Sequence, residues 1–430
     1  MKNIAICVML AVLAGCGACS QKSVDRSDFV RVEDGKFMIG DSVYRFVGTN
    51  FWYGPILASE GRGGNRERLV AELDRLQDIG VNNLRILVGA DGEENLPTHI
   101  MPVLHRAPGV YNDTLLAGLD YLMAELERRD MKAVLYFNNA WEWSGGYGTY
   151  LEWAGEGKAP DPNLDGYREY VEHVAQFVVN DTAKQMAADH VKYMVSRTNR
   201  YTGRPYTESP AIMAWQICNE PRAFARDSVT KEAFAGWIAS QAALIKSLDA
   251  NHLVSTGSEG KYGCEYDIDL WARIHGDENI DYGLIHLWPK NWGWVDQNTL
   301  SDSIDVACRE SYEYIRPHRE LMNRAGKPLV LEEFGYPRDG FSFDIASTTE
   351  ARDKFYEYVF VLMNNDNLFD GCNFWGWGGY AVPADTHWTF GADYTCDPAH
   401  EPQGMYSVFA GDSTTISIIR DAAKACSKAE

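Results

Sequence analysis

The chain has 430 residues, 45% hydrophobic and 23% charged, ordinary globular values that exclude disordered and collagen-like classes and leave ample length for a large core. Lys plus Arg number 40 against 61 Asp plus Glu, a formal charge of −21, which disfavours a nucleic-acid partner because counterion displacement needs cationic side chains. The 13 Trp and 23 Tyr suit a protein that stacks flat ligands or sugar faces, and a neutral polysaccharide is not repelled by such a surface.

In chain order, Lys2 precedes an apolar run over residues 4–14 that is too short to cross a bilayer and has the length of a secretory signal core. It ends in Leu13-Ala14-Gly15-Cys16, which resembles a bacterial lipobox. The expectation is a signal peptide over 1–15, lipidation at Cys16, a Ser-rich and charged tether over 16–28, and a body over 29–430. Gly17 after the lipid cysteine favours the outer membrane, and the lipid is the only membrane anchor expected. Cys218, Cys264, Cys308, Cys372, Cys396 and Cys426 are widely spaced without a CxxC pair, so no zinc site is expected and disulfide pairing stays open.

The body begins with a hairpin pattern that turns at Glu33-Asp34-Gly35-Lys36 and leads into a strand over 46–50. Leu69, Leu73, Leu76 and Ile79 then recur at helical spacing until Gly80, and residues 81–88 read as a strand. The unit repeats: helix 115–129 and strand 132–137; helix 167–199 and strand 211–218; helix 233–248 and strand 253–256. A strand over 281–287 follows, then helix 310–323 with strand 328–333, and helix 352–365 with strand 371–374. Eight strands separated mostly by helices imply one parallel (β/α)8 barrel of the α/β class, with a short N-terminal β-hairpin and no linker dividing it.

Barrel enzymes carry their chemistry at strand C-terminal ends, and here those ends are polar. They hold Asn50-Phe51-Trp52, Arg85, Asn138-Asn139-Ala140-Trp141, Asn219-Glu220-Pro221, His286-Leu287-Trp288, Glu332-Glu333-Phe334-Gly335 and Trp375-Gly376-Trp377. Two carboxylates on separate strands at one barrel mouth are the minimum apparatus for glycoside hydrolysis. No GxSxG, HExxH or kinase motif competes. A capping role for Glu220 and Glu333 is disfavoured because both follow apolar strands, where an unpaired charge is costly.

The ordered set of Leu84-Arg85-Ile86-Leu87, Trp215-Gln216-Ile217-Cys218-Asn219-Glu220-Pro221, His286-x-Trp288, Leu331-Glu332-Glu333-Phe334-Gly335 and Phe374-Trp375-Gly376-Trp377 resembles glycoside hydrolase family 5. Residues 138–146 and the tail 396–409 are similar to its β-mannanase branch. The resemblance implies Glu220 as acid/base and Glu333 as nucleophile, with Arg85 holding the nucleophile ionised. Neighbouring strand residues point to opposite sides, so of Glu332 and Glu333 only one is expected at the mouth, and the resemblance selects Glu333.

It further implies that Asn219 bonds the sugar 2-hydroxyl, that His286 stands beside the pair, and that Trp375 is the platform under the sugar. Trp288 departs from the Tyr of many members, since an indole N–H donates but cannot accept. Trp141, Trp292 and Trp294 are candidates to extend the cleft, and Asn139 and Trp52 are further contacts. The implied activity is retaining endo-β-1,4-mannanase hydrolysis of β-mannan polysaccharide or oligosaccharide, with no metal or cofactor required. The alternatives are an exo-β-mannosidase, a β-1,4-glucanase, or a non-catalytic glycan-binding lipoprotein.

Overall fold

The structure is a computed structural model that describes residues 26–94, 96 and 98–427. The signal peptide, Cys16 and most of the tether expected from the sequence lie outside the described residues. Three short antiparallel strands, Arg31–Glu33, Lys36–Ile39 and Ser42–Val43, extend the expected hairpin by one strand. Asp34 and Gly35 turn the first pair at φ 50° and 73°, the left-handed conformation that glycine adopts without strain.

Eight parallel strands follow: β1 (Phe46–Asn50), β2 (Asn83–Leu87), β3 (Lys132–Tyr136), β4 (Ile212–Gln216), β5 (Leu253–Ser255), β6 (Gly283–Leu287), β7 (Leu329–Phe334) and β8 (Gly371–Phe374). They pair in the order β5-β4-β3-β2-β1-β8-β7-β6. The seam between β5 and β6 is stitched by Asp281, whose N–H donates to Val254 O at 2.9 Å while its carboxylate accepts the Val254 N–H at 2.6 Å. This is the (β/α)8 barrel anticipated from the strand–helix alternation.

A major helix follows each strand: α1 (Arg66–Asp78), α2 (Asp113–Arg128), α3 (Asp181–Val195), α4 (Ser228–Leu248), α5 (Ile268–His275), α6 (Ile304–Ala325), α7 (Glu350–Asn364) and α8 (Ser413–Cys426). Asn65, Asn112, Asn180, Asp227 and Asp267 cap α1 to α5 by accepting backbone N–H groups of the first turn. The single helix expected over 167–199 is two, Tyr167–Val174 and α3, because Asn180 leaves helical geometry to cap the second. Helices α5 and α8 were not anticipated; each buries its apolar stripe, Leu270 with Ile274 and Ile416 with Ile419.

The core divides by position. One cluster fills the barrel's lower interior, where Phe46, Val134, Met213, Leu284 and Val330 meet Val30 and Phe37 of the N-terminal strands. Phe37 stands edge-on to Tyr282 at 5.2 Å, so the small sheet stops the end of the barrel opposite the strand C-termini. The larger cluster lies between strands and helices and under the long loops. The six body cysteines are free thiols. No described helix is long and apolar enough to cross a membrane.

Candidate active site

At the strand C-terminal ends a cavity of about 510 Å³ is lined by Asn219, Glu220, Trp288, Glu333 and Trp375 among others. Beneath it the Arg85 guanidinium is fully buried and bonded on all sides. Its Nε donates to Gln216 Oε1 at 2.8 Å, Nη1 to Asn50 Oδ1 at 3.1 Å and to a Glu333 oxygen, and Nη2 to Asn219 Oδ1 at 2.8 Å. The Tyr136 ring lies 4.4 Å from the guanidinium carbon. Arg85 thus ties together the ends of four strands.

Glu220 takes φ 48°, a left-handed conformation uncommon for a residue with a Cβ and typical of positions where function outweighs local strain. Its carboxylate accepts His286 Nδ1 at 2.8 Å and Trp141 Nε1 at 2.5 Å. Glu333 is held by Arg85 and accepts Trp288 Nε1 at 3.3 Å. His286 Nδ1 also lies 3.2 Å from Glu333. One oxygen of Glu220, one of Glu333 and a His286 nitrogen all fall within 4.8 Å of one another.

Burial alone would depress the His286 pKa, but Glu333, Glu220 and Glu332 around the ring push it up to about 10, so the ring is cationic. Burial pushes the Glu333 carboxyl up to about 7 against the pull of His286 and Arg85. Burial also raises Glu220, yet the hydrogen bond and charge of His286, with Arg222 and Trp141, outweigh it and hold that group below the ordinary carboxylate range. Both shifts run opposite to the nucleophile held ionised by Arg85 and the protonated acid expected from the sequence. Carboxylates this close titrate as a pair, and below the raised step near 7 the pair carries one proton.

The expected separation of Glu332 from Glu333 is corrected in its reason. Both carboxylates point into the barrel and both reach Arg85, Glu332 at 3.3 Å from Nε. The pairing of β6 with β7 skips Glu332 (Ile285 faces Leu331, then His286 faces Glu333), and this bulge breaks the strict alternation. Only Glu333 lines the cavity.

Asn219 has both ends engaged, accepting from Arg85 and donating to Asn139 Oδ1 at 3.1 Å. Trp375 and Trp141 line the cavity, and Trp288 stands edge-on to Trp375 at 5.9 Å. Trp292 lines the cavity; Trp294 does not, and instead donates to the Tyr262 hydroxyl. Two expected contacts lie behind the site. Asn139 accepts the Trp141 N–H and donates to Ser144, shaping the loop after β3. Trp52 is fully buried, donates to Cys396 O at 2.7 Å and packs against Trp143 and Tyr394.

Residues not singled out in sequence also line the cavity. Arg222 and Glu259 form a two-pronged ion pair at 2.6 and 2.7 Å beside Glu220. Glu142 and Glu401 stand on the walls, pushed up by burial to about 7 and about 8. The tail loop carrying His400 and Glu401 is organised by buried Asp397, which accepts from the N–H groups of Gly404 and Tyr406 and from the Ser407 hydroxyl. Glu142 and Glu401 fell within the segments that carried the β-mannanase likeness, but nothing in their local pattern marks them as cavity residues.

The loops after β2, β3 and β8 are joined to one another behind Trp143, whose ring stands edge-on to Trp375 at 6.4 Å. Ile100 N–H donates to Trp143 O at 2.8 Å, and Met101 N–H to the Tyr394 hydroxyl at 2.8 Å. The Tyr394 ring lies flat on Trp388 at 4.5 Å.

Comparison with known proteins agrees with this geometry. A mannan endo-1,4-β-mannosidase of Arabidopsis thaliana is 28% identical over 421 residues, covering 92% of this chain and 89% of that protein. The family 5 mannosidase of Rhizomucor miehei superposes with a TM-score of 0.85 at 31% identity, covering 94% of this chain and 99% of the other. The endo-β-1,4-mannanase of Thermotoga petrophila gives 0.68 at 25% identity, covering 90% and 78%. Residues 27–430 match the family model described as GH family 5 β-mannosidase-like, and the chain belongs to that family of glycoside hydrolases.

Proposed function

We propose that this protein hydrolyses β-1,4-mannosidic linkages with retention of configuration, with Glu333 as nucleophile and Glu220 as acid/base. The observation that carries the reading is the pair of carboxylates facing one cavity, one oxygen of each lying within 4.8 Å of the other at closest approach, a bound on the nearest atoms and not the separation of the carboxyl groups. Retention requires carboxyl groups about 5–5.5 Å apart, whereas inversion needs about 6.5–9.5 Å to admit a water between them and the sugar.

The steps follow from the contacts. Arg85 and the Trp288 N–H stabilise negative charge on Glu333. A glycosidic oxygen lying against Glu220 therefore draws the shared proton to Glu220, leaving Glu333 ionised to attack the anomeric carbon. The C–O bond to the leaving sugar breaks as Glu220 protonates its oxygen, and a glycosyl–Glu333 ester forms. Glu220, now ionised, removes a proton from water, which attacks the same carbon and releases Glu333. Trp375 offers its face to the apolar side of the ring.

The cavity supports action at chain ends of short β-1,4-manno-oligosaccharides. A volume of about 510 Å³ lies in the range of a single small-ligand site. The close fit to the Rhizomucor miehei mannosidase, a protein also solved with mannosyl-fructose, favours the same reading. Internal cleavage of mannan, the expectation from sequence, is the second reading; the curated plant endo-mannosidases at 28–30% identity favour it.

Product timing separates them. Mannohexaose labelled at its reducing end should first yield free mannose and labelled mannopentaose; early mannobiose and mannotriose would mark internal cleavage. β-Mannosides should also be turned over well above cello-oligosaccharides, because a site built around an axial 2-hydroxyl leaves buried polar groups unpaired with an equatorial one. Equal rates on both series would sink the mannoside preference.

We also propose that the chain is an exported outer-membrane lipoprotein, with 1–15 removed, Cys16 lipidated, 16–28 a tether and 29–430 one catalytic domain. The lipobox-like Leu13-Ala14-Gly15-Cys16 supports this. Cys16→Ala should move the protein from the membrane to the soluble fraction with kcat unchanged; unaltered fractionation would refute the anchor.

A further inference from the structure

Glu332 lies under the cavity floor, fully buried and outside the reach of substrate. Both its oxygens accept the Gln216 amide N–H, at 2.7 and 2.8 Å, and the same amide reaches Ser255 Oγ at 3.0 Å. Arg85 Nε stands 3.3 Å away and His286 Nε2 at 3.8 Å. Asn50 binds its backbone carbonyl, and Tyr136 and Tyr282 complete the surroundings as neutral phenols kept protonated by burial. The Gln216 amide donates to this carboxylate, and the Arg85 and His286 side chains flank it.

Around Arg85 the buried charges are two cations, Arg85 and His286, and three carboxylates, Glu220, Glu332 and Glu333. On the cavity walls Lys290 also faces the pair, and Glu142 and Glu401, pushed up by burial to about 7 and about 8, add negative charge only as they ionise. The neighbouring Arg222–Glu259 pair cancels itself. Without Glu332, the cluster around Arg85 would be neutral with Glu220 and Glu333 both ionised, and adding a proton would leave an uncompensated buried cation. With Glu332, neutrality requires one proton on the catalytic pair. A buried site favours the charge-matched state strongly.

We infer that Glu332 is a positioning residue that retains the shared proton of the Glu220–Glu333 pair at working pH, acting through His286 and Arg85. This rests on the reading of Glu220 as acid/base, and it gives the carboxylate beside the nucleophile a task distinct from attack.

The test is the pH profile of kcat/KM on mannotriose for Glu332→Gln, which keeps shape and loses charge. Its basic limb should fall by about one pH unit or more, and the acidic limb should fall with it, because every group in the pair loses a negative neighbour. An aryl β-mannoside with an activated leaving group needs little protonation, so its glycosylation rate near neutrality should change less than about fivefold.

The double variant Glu332→Gln with Gln216→Glu returns the charge across the same hydrogen bond and should restore the wild-type limbs. Gln216→Lys, which sets a cation against Glu332, offers a second route to the same downward shift should Glu332→Gln not fold. Limbs that stay in place while amplitude falls, or a double variant that fails to restore them, would overturn the inference. Full activity in Glu220→Ala and Glu333→Ala would instead refute the underlying assignment.

Discussion

Glu333→Ala is expected to lower kcat on manno-oligosaccharides by about 10⁴–10⁶-fold, because the group that forms the covalent intermediate is gone and no neighbour lining the cavity replaces it. Glu332 is 3.3 Å from Arg85 Nε but lies below the floor, so it cannot substitute. Glu220→Ala should cost about 10²–10⁴-fold on the same substrates, the range of general acid–base catalysis. The two variants part on an activated aryl β-mannoside. For Glu220→Ala the glycosylation step should be nearly spared, the glycosyl–enzyme should accumulate, and added azide, which needs no base, should restore turnover with a β-configured product. For Glu333→Ala leaving-group quality should help little, and azide rescue should give the α-product. Mass spectrometry of the trapped ester and NMR of the azide adduct read these outcomes. A first product of inverted configuration from the unaltered enzyme would defeat the mechanism, and a Glu332→Ala variant more damaged than Glu333→Ala would identify another nucleophile.

Arg85→Leu is expected to cost about 3–5 kcal/mol of stability, since it removes one partner of a buried charge cluster and leaves the others without compensation. Gln216 Oε1, Asn50 Oδ1 and Asn219 Oδ1 each lose a donor, and Glu332 and Glu333 lose a cation within the barrel. The surviving protein should work only toward higher pH. Removing that cation lets burial raise both titrations of the Glu220–Glu333 pair, so a second, inactivating proton joins the pair at a higher pH than before. The acidic limb of kcat/KM therefore moves upward, opposite to the shift expected for Glu332→Gln. Denaturant unfolding and a pH–rate profile check both parts; a loss under about 1 kcal/mol with an unmoved limb would show that the guanidinium is not the cluster's anchor.

Much of the barrel was legible because its signals are local. Helical spacing of Leu69, Leu73 and Leu76, stopped at Gly80, gives α1 from side-chain periodicity alone, and apolar runs such as 132–137 are fully buried strands between two layers. The strand ends were legible for the same reason: a run that stops at Asn219-Glu220 or Glu333 puts a polar group where the barrel opens, whatever the rest of the chain does. Helix α5, only eight residues long, carries too few repeats of its stripe to stand out from a loop.

What only the tertiary structure decided depends on pairs far apart in sequence. The bulge opposite His286 turns Glu332 inward, and no rule of alternation within β7 contains the register of β6. Trp52 and Trp375 both end barrel strands, yet Trp52 is covered by Trp143 and Tyr394 from two distant loops while Trp375 faces the cavity. The proton balance of Glu220 and Glu333 is set by groups on β2, β6 and β7, drawn within a few ångströms only by closure of the barrel. By itself the sequence determined the eightfold repeat and which residue types stand at the strand ends. Folding decided which of those side chains share one low-dielectric space, because burial, charge and hydrogen bonding act through distance and not through order along the chain.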